Sequence, residues 1–315
     1  MNWTSALSEN PVLEEAIAEC GVAIKNVVGG ETLDLAVAFI SPHYEDSYDR
    51  VADLMAETLG AKHGFGCSGG GVIGNGVEVE QRAGVSITAA VLPNVNVRPF
   101  HLEGDLLPDM DAGPDKWADL VGVQADQDPH FVMLADPYSF PVQDLLMGMD
   151  FAFPRAAKIG GLASGASRQG GNALFLDGEV WRTGAIGLAL DGNITVDTVV
   201  AQGCRPIGNP MRISKSDRNM LVELDGQPPM EVLRNMFETL PERDRGLLQN
   251  SLFLGVVMDE LIDSPVQGDF LIRNVVGMDQ ATGGLAIGEM LKEGQLVQFH
   301  LRDAGTSTDD LQAVL

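Results

Sequence analysis

Ala61-Lys62-His63-Gly64-Phe65-Gly66-Cys67-Ser68-Gly69 returns 96 residues later as Ala157-Lys158-Ile159-Gly160-Gly161-Leu162-Ala163-Ser164-Gly165, with five of nine positions identical. Each copy follows an apolar run closed by a proline, Val37 to Pro42 in the first and Phe131 to Pro137 in the second. Each precedes another apolar run, Gly84 to Leu92 and Gly184 to Leu190. Self-similarity at this distance decides architecture before any local motif does. It implies a duplicated α/β unit, with copies at about residues 33–100 and 130–200 related by a pseudo-two-fold axis. The later offset of 100, from Gly84 to Gly184, implies a four-residue insertion in the second copy. The Gly/Ser end of each phrase is a place where backbone must come close to something.

Outward from the phrase, Leu33–Ile40 reads as a buried strand and Tyr44–Leu59 as an amphipathic helix, with Val51, Leu54, Met55 and Leu59 on one face. Lys62–Ser68, Val77–Glu80 and Val85–Leu92 follow as strands, with a turn at Asn75-Gly76. The second copy repeats the order with Phe131–Leu134, a helix near Val142–Met149, and strands at Asn172–Leu176 and Ala185–Leu190. Short turns after the glycines imply antiparallel pairing. Asn10, Pro11, Glu14 and Glu15 signal a helix start inside an N-terminal helical segment of residues 1–31. The Asp/Pro/Gly-rich stretch 105–128 reads as a connector between the copies. The fold class expected is mixed α+β: a duplicated domain over 32–217, largely antiparallel sheets flanked by helices, then a C-terminal α/β domain over 218–315. In the latter, Met220–Leu224, Leu252–Val257, Phe270–Val276 and Gln295–Arg302 read as strands, and Pro229–Leu240 as a helix. The capped helix start Thr306–Leu311 breaks off at Leu315, short of the ~11–12 residue mean helix, so this domain is expected to be incomplete.

Composition narrows the function. Acidic residues number 45 against 20 basic, for a net charge of −25 spread along the chain. Nucleic acid binding depends on Lys and Arg neutralising phosphates, so such a partner is not expected. Three widely spaced cysteines make no disulfide framework, no basic leader opens the chain, and no apolar stretch nears the ~20 residues of a membrane span. A cytoplasmic protein that does not bind membranes is expected. The histidines and cysteines show no metal-ligand spacing, and no cofactor motif holds. Gly69-x-Gly71-x-x-Gly74 spells a dinucleotide fingerprint and Gly66-x-Ser68-x-Gly70 a nucleophile elbow, but both need a helix where Val77–Glu80 reads as strand. Cys67 reads either as a nucleophile beside His63 or as a small buried residue, and Ala163 in the second copy favours the latter. The amides of Gly69, Gly70 and Gly71 form either an anion nest or a plain tight turn.

Much of the sequence resembles the FIST family, the F-box and intracellular signal transduction proteins, with their N- and C-terminal FIST domains. The resemblance lies in Gly66–Gly74, Ile159–Gly165, Ala201–Gly208, Gly268–Asn274 and Gln298–Ala304. It implies a small-ligand sensory module, with amino acids as the proposed ligands and a signalling protein downstream. It also implies a further C-terminal segment with a Cys-Asn-Gly-Arg-Gly-like phrase. On this reading the protein is not an enzyme. The candidate ligand residues are Cys67, Ser68, Gly69, Gly70, Ser164 and Gly165 from the first domain, with Arg205, Asp269, Arg273, Asn274, Arg302 and Asp303 from the second. The arginines and acids suit an amino acid's carboxylate and ammonium, and equally suit structural ion pairs. The site is expected at the junction of the two domains. The alternatives are a ligand-free interaction scaffold and a hydrolase or transferase using Cys67 or Ser68.

Overall fold

A computed structural model describes residues 1–199, 201–258, 262 and 264–314. Val200 and Leu315, the last residues of the expected second copy and final helix, lie outside the described residues. The chain is mixed α+β and divides into two compact units, Met1–Thr198 and Val199–Leu315.

The first unit runs β1 (Asn2–Ser8), α1 (Leu13–Val28), β2 (Leu35–Ile40), a 3₁₀ segment (Pro42–Arg50), α2 (Val51–Leu59), β3 (His63–Ser68), β4 (Gly71–Gly74), β5 (Val77–Glu80) and β6 (Val85–Val91). It then repeats as β7 (Val95–Leu102), α3 (Pro114–Val121), β8 (His130–Ala135), α4 (Val142–Ala152), β9 (Lys158–Leu162), β10 (Leu174–Leu176), β11 (Glu179–Trp181) and β12 (Ala185–Gly192). Strand order confirms the duplication: β1-β6-β2-β3 in one sheet, β7-β12-β8-β9 in the other. The senses match as well, since β2–β3 and β8–β9 are parallel and the remaining pairs antiparallel. Equivalent loops close with equivalent bonds, Ser41 N to Gly84 O and Asp136 N to Gly184 O, each 2.9 Å.

The copies are longer than the phrase indicates. Residues 1–31 are no separate helical segment, because β1 pairs with β6 along its whole length. The stretch 105–128 is more than a connector, because it contains α3, whose Trp117 is buried against Gly148 of α4. The helix expected from Tyr44 begins only at Val51, since Tyr44 leaves helical geometry and Pro42–Arg50 winds as 3₁₀.

Packing follows from strand alternation. In β2, Ala36, Ala38 and Ile40 face α1 and α2, while Leu35 and Val37 face the other sheet. In β8, Phe131, Met133 and Ala135 face α3 and α4, while Val132 and Leu134 face the first sheet. The result is a helix–sheet–sheet–helix stack, and strands buried on both faces read as unbroken apolar runs.

One element breaks the symmetry. The β4–β5 hairpin, turning at Asn75-Gly76 with both φ positive, forms its own two-stranded sheet. Its counterpart β10–β11 crosses to the first sheet and pairs antiparallel with β3.

The second unit runs β13 (Cys204–Asp217), β14 (Met220–Leu224), α5 (Pro229–Thr239), α6 (Glu242–Asn250), β15 (Leu252–Val257), β16 (Phe270–Asp279), β17 (Gly284–Ile287), β18 (Leu296–Arg302) and α7 (Ala304–Val314). In place of layered α/β packing, its strands close a barrel in the order β13-β14-β17-β16-β15-β18. Closure removes exposed sheet edges. The long β13 serves two neighbours because a register break between Ile207 and Met211 bends it from β18 toward β14. Since β13 belongs wholly to the barrel, the division between the compact units falls near residue 199. Leu221, Leu254, Ile287, Val297, Phe299 and Leu301 fill its interior.

Candidate functional site

The Gly/Ser ends of the two phrases meet each other. Ser164 N donates to Ser68 O at 3.1 Å, and Gly70 N donates to Ser164 Oγ at 3.0 Å. A Cβ on Gly165 would lie 2.6 Å from Ser68 Cβ and 3.1 Å from the Tyr48 hydroxyl. The close approach expected of these glycines is therefore to the other copy. The amides of Gly69 and Gly70 are not free for an anion nest, being engaged by Ile40 O and Ser164 Oγ.

Behind them lies a buried polar network. Ser68 Oγ accepts from Ala173 N at 3.0 Å, Ala166 N donates to Asn172 Oδ1 at 2.8 Å, and Asn172 Nδ2 donates to the buried Asp136 at 2.9 Å. Asp136 also accepts from Ser139 Oγ at 2.6 Å. Satisfied networks of this kind fix a unique arrangement of the groups around them. Asn172 and Asp136 went unnoticed in the sequence because their partners are 36 residues apart. Cys67 faces the inter-sheet core, and burial pushes its thiol up to about 12. Burial likewise raises the Tyr48 phenol.

The second set of candidates lies in the barrel unit, each residue with its own partners. Arg205 donates to Asp244 at 2.5 Å and stands 3.6 Å from Asp303. Asp303 caps α7 by accepting from Thr306 N at 3.0 Å, and it also pairs with Arg243. The Thr306 amide first, then its hydroxyl and the two arginines, outweigh burial and hold this carboxyl below its usual range. Arg273 pairs with Glu289. Arg302 lies 4.5 Å over the Phe253 ring and donates to Gln202 O. Asp269 closes a turn onto Val266 N, and Asn274 O accepts from Gly288 N.

The start of the first phrase, not its end, lines a cavity of about 220 Å³. That is room for roughly seven waters at ~30 Å³ each. Ala36 of β2, Ala52, Met55 and Ala56 of α2, and Phe175 and Leu176 of β10 form its apolar walls. Ala61, Lys62, Gly64, Asp177 and Gly178 complete the lining. The two-residue turn Asp177-Gly178 has φ positive at both positions, as a type I′ hairpin requires. It brings Asp177 onto the strand, where its carboxylate accepts from Gly64 N at 2.9 Å and lies 3.0 Å from His63 Nδ1. Lys62 donates to Asp34 at 2.7 Å. Burial raises Asp34, but Lys62 and the Leu92 amide outweigh it and hold the carboxyl below its usual range. The lining thus combines a lysine and an aspartate, each already bonded to a neighbouring group, with apolar side chains and the backbone of Gly64 and Gly178.

The FIST N domain family model matches residues 34–227, and the FIST C domain model matches 229–315. The chain belongs to the FIST family. FIST domains are associated with small-ligand-binding sensory signalling. An uncharacterized protein of Mycobacterium tuberculosis (strain CDC 1551 / Oshkosh) is 33% identical over 309 residues, covering 97% of this chain and 78% of its own length. An uncharacterized protein of Mycobacterium bovis (strain ATCC BAA-935 / AF2122/97) is 32% identical over 305 residues, covering 96% and 76%. The FIST N match runs on past the structural boundary through β13 and β14. Among the described residues no cluster of potential metal ligands occurs, and no helix is long and apolar enough to cross a membrane.

Proposed function

We propose that this FIST protein is a cytoplasmic sensor of a free amino acid, that it binds without catalysis, and that the first-unit cavity holds the ligand. This places the site within one unit instead of at the junction expected from the sequence. The observation that carries the reading is a cavity lined by both Lys62 and Asp177, with alanine, methionine, phenylalanine and leucine residues forming much of the remaining wall. Lys62 has three donors and uses one on Asp34, leaving two for a ligand carboxylate. Each Asp177 oxygen has one partner and keeps a lone pair for an ammonium. The apolar wall then receives a small side chain.

Sensing follows from how the cavity is built. Its floor belongs to the first copy and its cover, β10 with the Asp177 turn, to the second. A ligand gripping both favours whichever arrangement of the copies it fits best, and a downstream signalling protein reads that arrangement. The non-catalytic part of the reading is supported by Cys67 and Ser68, both buried, the one facing core and the other bonded to Ala173 N.

A thermal-shift screen of amino acids tests this. A ligand at 100-fold over its dissociation constant adds about 2.7 kcal/mol of stability, a rise of a few degrees in melting temperature. Lys62→Met and Asp177→Asn should each remove the rise while leaving the unliganded melt unchanged within about 0.5 kcal/mol. Asn at 177 keeps an acceptor for Gly64 N and tolerates the positive φ. A second reading, the interaction scaffold, draws on the barrel unit. There Met230, Leu233, Phe237, Val276 and Met278 line an open groove of about 730 Å³ between α5, α6 and the strands. If no amino acid stabilises the chain, that reading takes over.

A further inference from the structure

The two copies treat the outer edge of their third strand differently. In β3, Ser68 N donates to Ala173 O and Asp177 N donates to Gly64 O, both at 2.9 Å. The even-numbered peptides of β3 thus point outward, and β10 covers them. In β9, Phe131 N donates to Ala157 O and Ala163 N to Ala135 O, both at 2.8 Å. Odd-numbered peptides there face β8, so alternation turns Lys158, Gly160 and Leu162 outward. The 96-residue offset maps Gly64 and Gly66 onto Gly160 and Leu162. The edge that is covered in the first copy is bare in the second: β9 pairs only with β8 among the described residues.

Connectivity explains the difference. Residues 163–173 link β9 to β10, long enough for that hairpin to cross between sheets. Only Gly69 and Gly70 link β3 to β4, so the first hairpin folds back over its own sheet, where Ser86 donates to Ile73 O at 2.7 Å. It cannot reciprocate.

We propose that β9 is a self-association strand. Two copies of the chain join β9 to β9 antiparallel about a two-fold axis at Gly160, making one continuous eight-stranded sheet from two four-stranded ones. Antiparallel pairing is the mode the equivalent edge already uses with β10. Gly160 sits midway in the outward set, so the axis places Lys158 of each copy opposite Leu162 of the other. A chain of net charge −25 repels its own copy over most of its surface, but β9 contains no acidic residue. The Lys158 ammonium is turned inward, 7% exposed, bonded to Phe153 O and Ala156 O and paired with Asp150 at 2.9 Å. No like charges therefore meet across the axis. Ile159 and Leu162 are 39% and 53% exposed, apolar flanks with neither proline nor a solvated lysine to block an edge. Five residues bury far less than the ~1,200 Å² of a stable complex, so association is weak and concentration-dependent.

Sedimentation equilibrium of the full chain from micromolar to millimolar concentration tests this, with amide hydrogen exchange on the same samples. The expected mass rises from 33.5 kDa toward twice that value. The Gly160 and Leu162 amides should slow as concentration rises, while Ile159, already facing β8, should not respond. Leu162→Lys puts a solvated lysine on the bare edge, a residue that blocks strand pairing, and should restore the monomer at an unchanged melting temperature. A 33.5 kDa species throughout, a dimer indifferent to Leu162→Lys, or exchange independent of concentration each overturns the proposal. So does a persistent monomer whose Gly160 and Leu162 amides are protected by a peptide of sequence 172–178, which would make the occupant a foreign strand.

Discussion

Gly165 is a glycine because Ser68 and Tyr48 occupy the space its side chain would need. Gly165→Ala puts a methyl 2.6 Å from Ser68 Cβ, in a region held by the Ser68–Ala173 and Asn172–Asp136 bonds. Overpacking of this kind costs about 1–3 kcal/mol. Gly161→Ala, with open space around it, should cost no more than about 1 kcal/mol. Urea unfolding of the two variants checks the contrast, and equal losses would mean that the copies do not lean on each other at this point. The repeated phrase announced that its glycines met something close, but a sequence cannot say what. Their neighbour proved to be the same phrase 96 residues away, which engages the amides of Gly70 and Ser164.

Among the elements, the crossing hairpin β10–β11 matters most, since it both covers the β3 edge and closes the cavity. Phe175 is buried at its centre, edge-on to Tyr48 with ring centroids 6.1 Å apart. Phe175→Ala should cost about 3–5 kcal/mol and enlarge the cavity it lines, measured by urea unfolding of the first unit. Much of this layout was legible beforehand. The runs in β2, β6, β8 and β12 are strongly apolar, and the Asn75-Gly76 turn carries its own signal. β1, β7 and β13 were not, because Asn2–Ser8 is half polar, Val95–Leu102 has Arg98, Pro99 and His101 inside it, and β13 mixes Pro, Gly and Arg. Such strands are held by their neighbours, not by propensity. Barrel closure and hairpin exchange are long-range pairings, beyond the reach of any local pattern. The arginines of the second unit were legible as either ligands or ion pairs, and only the positions of Asp244, Asp303 and Glu289 showed the partners of Arg205 and Arg273.

Taken whole, the molecule carries one buried or half-buried histidine in each unit that resists protonation. Burial, against weaker opposing pulls from Glu103 and Thr183, lowers His101, which stacks on Trp181 at 3.6 Å. Burial also lowers His300, beneath Phe270 in the barrel wall, against its bond to Gln298 O. Both folded values lie below the ordinary 6.5, so the unfolded chain takes up protons first as pH falls. Their contribution to stability is fully present above about pH 6.5 and is lost progressively below it. Melting temperature should therefore drop between pH 7.5 and pH 5, and less so in His300→Gln; a flat profile would contradict the burial of these rings. The central claim remains the location of the ligand, in the first unit under the crossing hairpin. The most direct measurement is the amide spectrum of labelled protein titrated with an amino acid that stabilises it. The account predicts shifts clustered at Ala36, Gly64 and Leu176–Gly178, absent in Asp177→Asn. Shifts clustered instead around Arg273 and Arg302, or along the α5–α6 groove, would contradict it.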